Sequence, residues 1–283
     1  MSKLFADEIA TNPNRTAFIG GGNMARSLIG ALIRGGTSPM LIAVAEPHEE
    51  RRAALAHDFR IAAMDRAHAI ESGAGTLVLA VKPQVMKAVC GELADYLGAA
   101  RPLIVSIAAG VKLADIDRWL GGGFPIVRCM PNLPAIVGAA AAGLIANAHV
   151  DAAQRKRAQA ILDAAGISVW IDDEALMDVV TALSGSGPAY FALLAEALED
   201  AAVAEGLPRE TARTLAMQTC LGAGRLLVDG EDTPASLRER VTSPGGTTAA
   251  ALKIFADGGL RDLIADGVAA ATARGRELSK GGE

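Results

Sequence analysis

Three consecutive glycines, Gly20-Gly21-Gly22, separate the short apolar run TAFI from the amphipathic stretch NMARSLIGALIR. This junction constrains the fold more than any other feature of the chain. With Asn23, Met24 and Ala25 it reads G-x-G-x-x-A, set between a predicted strand, Thr16–Gly20, and a predicted helix, Asn23–Arg34. That is the context in which the pattern binds a dinucleotide. Gly20 permits the tight turn, Gly22 lets backbone approach a pyrophosphate, and Ala25 keeps helix and strand close. The helix start then offers unpaired N–H groups and the positive end of its dipole to the phosphates. A glycine triplet is otherwise an ordinary turn; the strand before it and the helix after it favour the dinucleotide.

The surrounding sequence repeats the strand–helix alternation up to about Ile171. Leu41–Ala45 reads as a second strand and Glu49–Asp58 as a second helix. Thr76–Val81, Leu103–Ala108 and Phe124–Cys129 are continuous apolar runs, as expected of strands covered on both faces. Alternation at this spacing predicts a parallel sheet with right-handed crossovers, an α/β domain of the Rossmann type. Beyond Ile171 the pattern changes to helices at Met177–Leu183, Pro188–Glu205, Pro208–Val228, Pro234–Val241 and Thr247–Arg276. Pro188, Pro208 and Pro234 stand near first helical turns, where proline loses no hydrogen bond. Two domains follow, residues 1–171 (α/β) and 172–283 (all-α), with residues 279–283 reading as a frayed tail.

In an open parallel sheet, ligands gather at the carboxyl ends of the strands. Glu46 ends the second strand at the offset where a carboxylate accepts bonds from an adenosine ribose, which favours NAD. His48, Arg51 and Arg52 follow it directly, and a cation there attracts the 2′-phosphate of NADP instead, so both cofactors stay open. Val81-Lys82-Pro83, Ser106 through Gly110 with Ala108, and Met130-Pro131-Asn132 end later strands at the same edge. Small residues and the Asn132 carboxamide suit a nicotinamide amide, although each segment alone would be an ordinary loop. In the helical half, Ser184-Gly185-Ser186-Gly187-Pro188 and Ser243-Pro244-Gly245-Gly246-Thr247-Thr248 place glycines and hydroxyls at helix starts. Such groups cap helices, and they also bind small carboxylates; two clusters in one helical region favour a site.

Several classes are disfavoured. Apolar residues make up 51% of the 283, enough for a substantial core, and the net charge of −5 opposes a nucleic-acid-coating surface. Cys90, Cys129 and Cys220 are far apart and odd in number, so reduced cytosolic thiols are expected rather than a disulfide framework. The first fourteen residues carry no secretory pattern, and the apolar stretch 136–150 is too broken to cross a bilayer, so a cytoplasmic protein without membrane partners is expected. No spacing suggests a metal. The histidines His48, His57, His68 and His149 are expected outside the glycine clusters and at no strand's carboxyl end, which leaves no histidine general acid. Reduction of an imine fits this absence, because a protonated C=N is already electrophilic.

The chain resembles the pyrroline-5-carboxylate reductase family from Thr16 to Leu278. The motifs that carry the resemblance are FIGGGNMA (Phe18–Ala25), LAVKPQ (Leu79–Gln84), SIAAGV (Ser106–Val111), RCMPNLPAIVG (Arg128–Gly138), LSGSGPAYF (Leu183–Phe191) and VTSPGGTT (Val241–Thr248). The resemblance implies reduction of 1-pyrroline-5-carboxylate to L-proline by NADPH or NADH, the family usually using NADPH. It implies that Gly20, Gly22, Asn23 and Met24 lie on the pyrophosphate, and that Val81, Lys82, Pro83, Ala108 and Asn132 frame the nicotinamide end. Ser243, Gly245, Gly246 and Thr247 would hold the substrate carboxylate, and the Thr248 hydroxyl would bond the ring nitrogen as the catalytic group. It also implies a homodimer whose site lies between one subunit's Rossmann domain and the partner's helices, with larger rings of dimers in some members. Two departures stand out: Asp65-Arg66-Ala67 replaces an asparagine-bearing loop, and Glu46 replaces the residues that commonly receive the 2′-phosphate. The rival readings are a β-hydroxyacid dehydrogenase or another imine reductase, and a non-catalytic dinucleotide sensor. The first needs a helix lysine after the sheet, and Lys156 is the only lysine between Asp151 and Arg240.

Overall fold

The computed structural model describes residues 14–66, 73–97 and 101–280, with the side chain of Lys280 left out. The amino-terminal leader expectation, His68 and residues 281–283 lie outside these residues. Eight strands form one sheet: β1 Thr16–Ile19, β2 Ile42–Ala45, β3 Ala62–Met64, β4 Thr76–Leu79, β5 Leu103–Ser106, β6 Ile126–Met130, β7 Ala140–Ala146 and β8 Gly166–Trp170. Their order is β3-β2-β1-β4-β5-β6-β7-β8. β1 pairs in parallel with both β2 and β4, Phe18 lying opposite Val44 and Val78. The sheet thus begins at its centre and winds outward both ways. Helices α1 Asn23–Arg34, α2 Glu49–Phe59, α3 Pro83–Leu97, α4 Leu113–Trp119 and α5 Ala152–Asp163 fill the crossovers.

The strands' alternation sorts the core into two layers. Phe18, Val44, Val78, Val105 and Val127 pack on one face with Leu28 and Ile29 of α1. Ile19, Leu77, Leu79, Ile104 and Ile126 pack on the other with Met86 and Leu93 of α3 and Ile116 of α4. α1 buries Ala25, Leu28, Ile29 and Leu32, the spacing of a single helical stripe.

The far side of the sheet departs from the expected all-parallel pattern. β7 runs antiparallel to β6, and β8 is parallel to β7. The link from β6 to β7 holds only a short 3-10 turn, Leu133–Val137, and a parallel return needs a longer crossover. α5 supplies that crossover between β7 and β8. The alanine- and glycine-rich β7 has little β-propensity, so its composition hides it.

Three helical expectations also change. Met177–Leu183 is not one helix: a 3-10 turn Glu174–Leu176 leads into α6 Met177–Val180 and then a π-helical turn Thr181–Gly185. Thr247–Arg276 divides into α10 Thr247–Asp257 and α11 Leu260–Lys280, broken at Gly258-Gly259, where Gly259 takes φ +70°. α11 continues to Lys280, and Ser279, expected to fray, is buried with its hydroxyl 3.2 Å from Asp178 Oδ1.

The chain forms two compact units. One runs through Gly185 and takes back the chain from Ala271 onward; the other is Ser186–Ala270. The first therefore extends past Asp172, because Met177 and Ala182 are fully buried and Met177 belongs to the sheet's second core layer. The second unit holds α7 Gly187–Ala204, α8 Arg209–Asp229, α9 Pro234–Arg240, α10 and most of α11. Arg209 and Arg213 of α8 pair with Glu199 of α7 at 3.1 and 3.2 Å, and both guanidinium groups lower that carboxyl's pKa.

Candidate dinucleotide site and substrate cluster

Among the residues predicted to bind cofactor, Gly20, Gly22, Asn23, Met24, Glu46, Val81, Lys82, Pro83, Ala108 and Asn132 all belong to the first unit. The parallel strands place them along one carboxyl edge. Gly20 takes φ +98°, and a Cβ there would lie 2.7 Å from the Ala80 carbonyl oxygen. Its N–H donates to Ala45 O at 2.8 Å, so the turn is tied to the end of β2 and pressed against the end of β4. Gly21 is equally crowded, a Cβ meeting Leu55 Cδ1 at 2.5 Å. Gly22 differs. Nothing lies within 4 Å of a Cβ placed there, and it is the N-cap of α1 with no side-chain cap. An uncapped helix start facing open space leaves N–H donors for an anion, and Asn23 and Met24 begin that helix. These residues fit the pyrophosphate of a dinucleotide.

Glu46, the expected ribose acceptor, turns its carboxylate toward backbone donors. It is 3% exposed, its Oε2 accepting the Gly21 N–H at 2.9 Å and its Oε1 the His48 N–H at 2.8 Å. Two backbone donors draw the carboxylate inward, and the turn and the start of α2 are fastened together through it. Arg52 Nη1 donates to the carbonyls of Glu46 and Pro47 at 2.9 and 3.1 Å. Arg51 remains half exposed, Nη1 lying 3.8 Å from Glu46 Oε2. His48 stands just past β2 as the N-cap of α2, so one histidine does sit near a strand's carboxyl end. Arg66 is exposed.

On the side of the glycine turn away from β2, Val81 is half-buried and Lys82 exposed, immediately before α3 begins at Pro83. Ser106 is fully buried, and its hydroxyl accepts the Ala108 N–H at 3.4 Å, curling the chain after β5. Asn132 is 8% exposed rather than open to a ligand. Its Nδ2 donates to Ser184 O and its Oδ1 accepts the Ala141 N–H, both at 2.9 Å. Nearby, the buried Arg128 pairs with Glu174 at 2.9 Å, and the same carboxylate oxygen accepts the Leu113 N–H at 2.9 Å.

The predicted substrate residues belong to the second unit. Gly246 N–H donates to Ser243 O at 3.0 Å, Gly245 takes φ +70°, and Gly246 caps α10 without a side-chain bond. Ser243, Gly245 and Thr247 are exposed and Thr248 half-buried. No described residue bonds the hydroxyls of Ser243, Thr247 or Thr248. The structure therefore shows two clusters, one on the sheet edge and one at a helix start. The described residues hold no group of His, Cys, Asp and Glu that could bind a metal, and no helix is long and apolar enough to cross a membrane.

A central parallel sheet with a glycine turn at its first crossover, followed by a helical unit, defines a Rossmann-type dinucleotide-binding protein. Residues 174–278 match the family described as pyrroline-5-carboxylate reductase dimerisation, and residues 15–110 match NADP oxidoreductase, coenzyme F420-dependent. The chain is 50% identical to a pyrroline-5-carboxylate reductase of Pseudomonas aeruginosa over 94% of its own length and 97% of the relative's. A pyrroline-5-carboxylate reductase structure from Coxiella burnetii superposes with a TM-score of 0.91 at 42% identity, covering 94% of this chain and 99% of that one. The Plasmodium falciparum pyrroline carboxylate reductase with NADP bound gives 0.81 at 27% identity, covering 94% and 98%. The chain belongs to the pyrroline-5-carboxylate reductase family.

Proposed function

We propose that this protein reduces 1-pyrroline-5-carboxylate to L-proline with NADPH or NADH, the last step of proline synthesis. The observation that carries the reading is the open, uncapped start of α1 at Gly22 in a chain of this family. The dinucleotide, when bound, supplies a hydride to the C=N carbon. Gly22, Asn23 and Met24 direct backbone donors at its pyrophosphate, while Val81, Lys82, Pro83 and Ala108 border its nicotinamide end. Ser243, Gly245, Gly246 and Thr247 hold the substrate carboxylate with N–H and hydroxyl donors. Thr248 acts as the catalytic group by hydrogen-bonding the ring nitrogen as charge shifts onto it. The nitrogen already carries its proton, which suits a site without a histidine acid. Lys156, the only lysine between Asp151 and Arg240, is exposed on α5, ahead of β8, which counts against a β-hydroxyacid dehydrogenase.

The protein is a homo-oligomer through its dimerisation region. Phe191, Leu194, Met217, Leu221, Ile254 and Leu263 are all at least half exposed on the helices of the second unit, more apolar surface than a monomer keeps in water. We place the complete site between one subunit's sheet edge and the partner's Ser243–Thr248 cluster, in a dimer that can build rings. The free thiols of Cys90, Cys129 and Cys220 fit a reducing cytoplasm. Oxidation of NADPH and of NADH, followed in parallel with 1-pyrroline-5-carboxylate, tests the activity. Consumption of either establishes it; a folded protein that binds dinucleotide and consumes neither defeats it.

A further inference from the structure

We infer that Asn132 is a positioning residue that clips the π-helical turn Thr181–Gly185 against the loop ending β6, making that turn a wall of the nicotinamide end of the site. The inference rests on the reductase reading above. Ser184 O can only accept and Ala141 N–H can only donate, so the two bonds fix which end of the carboxamide is which. The amide is buried and bonded at both ends. It bridges a strand start and a turn 52 residues away in sequence.

The rest of the turn is built around this clip. Its own hydroxyls are engaged inside the helix, Thr181 Oγ1 donating to Met177 O at 2.9 Å and Ser184 Oγ to Val180 O at 3.0 Å. Two glycines allow the close approach. A Cβ on Gly185 would lie 2.7 Å from Met130 Cε, and one on Gly143 of β7 would lie 2.7 Å from Val180 Cγ1. At the near end of the segment, the ion pair of Arg128 and Glu174 holds the same strand to the preceding 3-10 turn. π-helical turns are rare and concentrate at functional sites. Its start follows Val180, which packs on Gly143 of β7, and its end meets Met130 of β6, beside the Met130-Pro131-Asn132 segment that closes the strand at the sheet's ligand-binding edge. What Asn132 places is therefore backbone, the Ser184-Gly185 segment.

The variants Asn132→Ala and Asn132→Asp test this, with dinucleotide affinity and turnover measured separately. Both should keep NADPH affinity near that of the wild type while kcat falls by about a hundredfold, the scale of a misplaced site wall. In Asn132→Asp the carboxylate still accepts from Ala141 but faces the Ser184 carbonyl oxygen. Protonation converts it into a donor to that oxygen, so its kcat relative to wild type should recover as pH falls through a carboxyl pKa raised by burial. A role confined to stability would not produce that recovery. A ratio that stays flat with pH overturns the proposal, as does normal turnover in folded Asn132→Ala. NADPH affinity falling in step with kcat also overturns it and assigns the amide to the nicotinamide. If neither variant folds, hydrogen exchange on the wild type decides. NADPH should slow exchange at residues 181–185 and at Ala141 together, and slowing at only one of them overturns the clip. Wild-type protein that fails to turn over pyrroline-5-carboxylate defeats the reductase reading instead, and the exchange measurement still judges the clip.

Discussion

Glu46 Oε2 accepts the backbone N–H of Gly21 across 2.9 Å, in a pocket that leaves the glutamate 3% exposed. This bond joins the end of β2 to the middle of the phosphate turn, and the second oxygen extends the tie to His48 at the start of α2. A buried carboxylate is stable there because both oxygens meet backbone donors and Arg51 stands 3.8 Å away. Glu46 is thus part of the scaffold of the turn.

Glu46→Ala removes a charged acceptor from two backbone donors and leaves the buried Gly21 N–H stranded, at a cost of about 1–3 kcal/mol for that group. The turn should loosen, and affinity for NADPH and NADH should fall together with their ratio unchanged. Fluorescence titration of both cofactors reads this directly. A selective gain for NADPH would mean that the carboxylate reaches the ribose after all.

The two outer glycines of the turn should fail in different ways. Gly20 has φ +98° and no room for a Cβ beside Ala80 O, so Gly20→Ala should destabilise the fold by about 1–3 kcal/mol. Gly22 has φ −67° and open space around it. Gly22→Val should fold with a loss under about 1 kcal/mol, from a poorer cap. Its dinucleotide affinity should drop about a hundredfold, or roughly 3 kcal/mol. Urea melts paired with cofactor titrations separate the two effects; normal affinity in Gly22→Val would sink the phosphate-turn reading.

The pattern of glycines and apolar runs made the centre of the sheet legible, because local backbone demands and two-sided burial are written directly in Gly20 and in runs such as Thr76–Leu79. Helix α1 matches its expected bounds, Asn23–Arg34, for the same reason. What stayed hidden depends on contacts far apart in the chain. Glu46 and Asn132 stood at the right strand ends, but whether a polar side chain turns toward ligand or backbone is decided by partners such as Gly21 and Ser184. A third glycine in the turn was the available clue for Glu46, since Gly21 is needed only if something packs against it. β7 was masked by its alanines, and the break at Gly258-Gly259 by strong helix formers on both sides.

Thr248 is the second residue of α10 in the second unit, half-buried, and no described residue bonds its hydroxyl. Thr248→Ala removes one hydroxyl and little else, as alanine suits an early helical position. Turnover should fall by about 10²–10³, the scale of a lost donor at a reacting atom, here the nitrogen that gains an electron pair as hydride adds, while NADPH affinity holds. Steady-state kinetics beside a binding titration checks it. Unchanged turnover would remove Thr248 from the chemistry.

Burial pushes the Cys90 thiol from its ordinary pKa of 9.0 up to about 12, and the Cys129 thiol is raised for the same reason. Between pH 9 and about 12 the unfolded chain releases the Cys90 proton while the folded chain keeps it. The unfolded state then binds fewer protons, so stability must fall as pH rises through that window, by up to about 1.4 kcal/mol per unit for one thiol. Other groups titrate there too, and Cys90→Ala isolates this one. The variant starts less stable at pH 8, having lost a packed sulfur. Its deficit against wild type should shrink as pH climbs past 9, because only wild type carries the Cys90 penalty. Urea unfolding of both proteins from pH 8 to pH 10.5 measures the deficit; a gap that stays constant would mean Cys90 ionises as readily in the folded protein as in the unfolded chain.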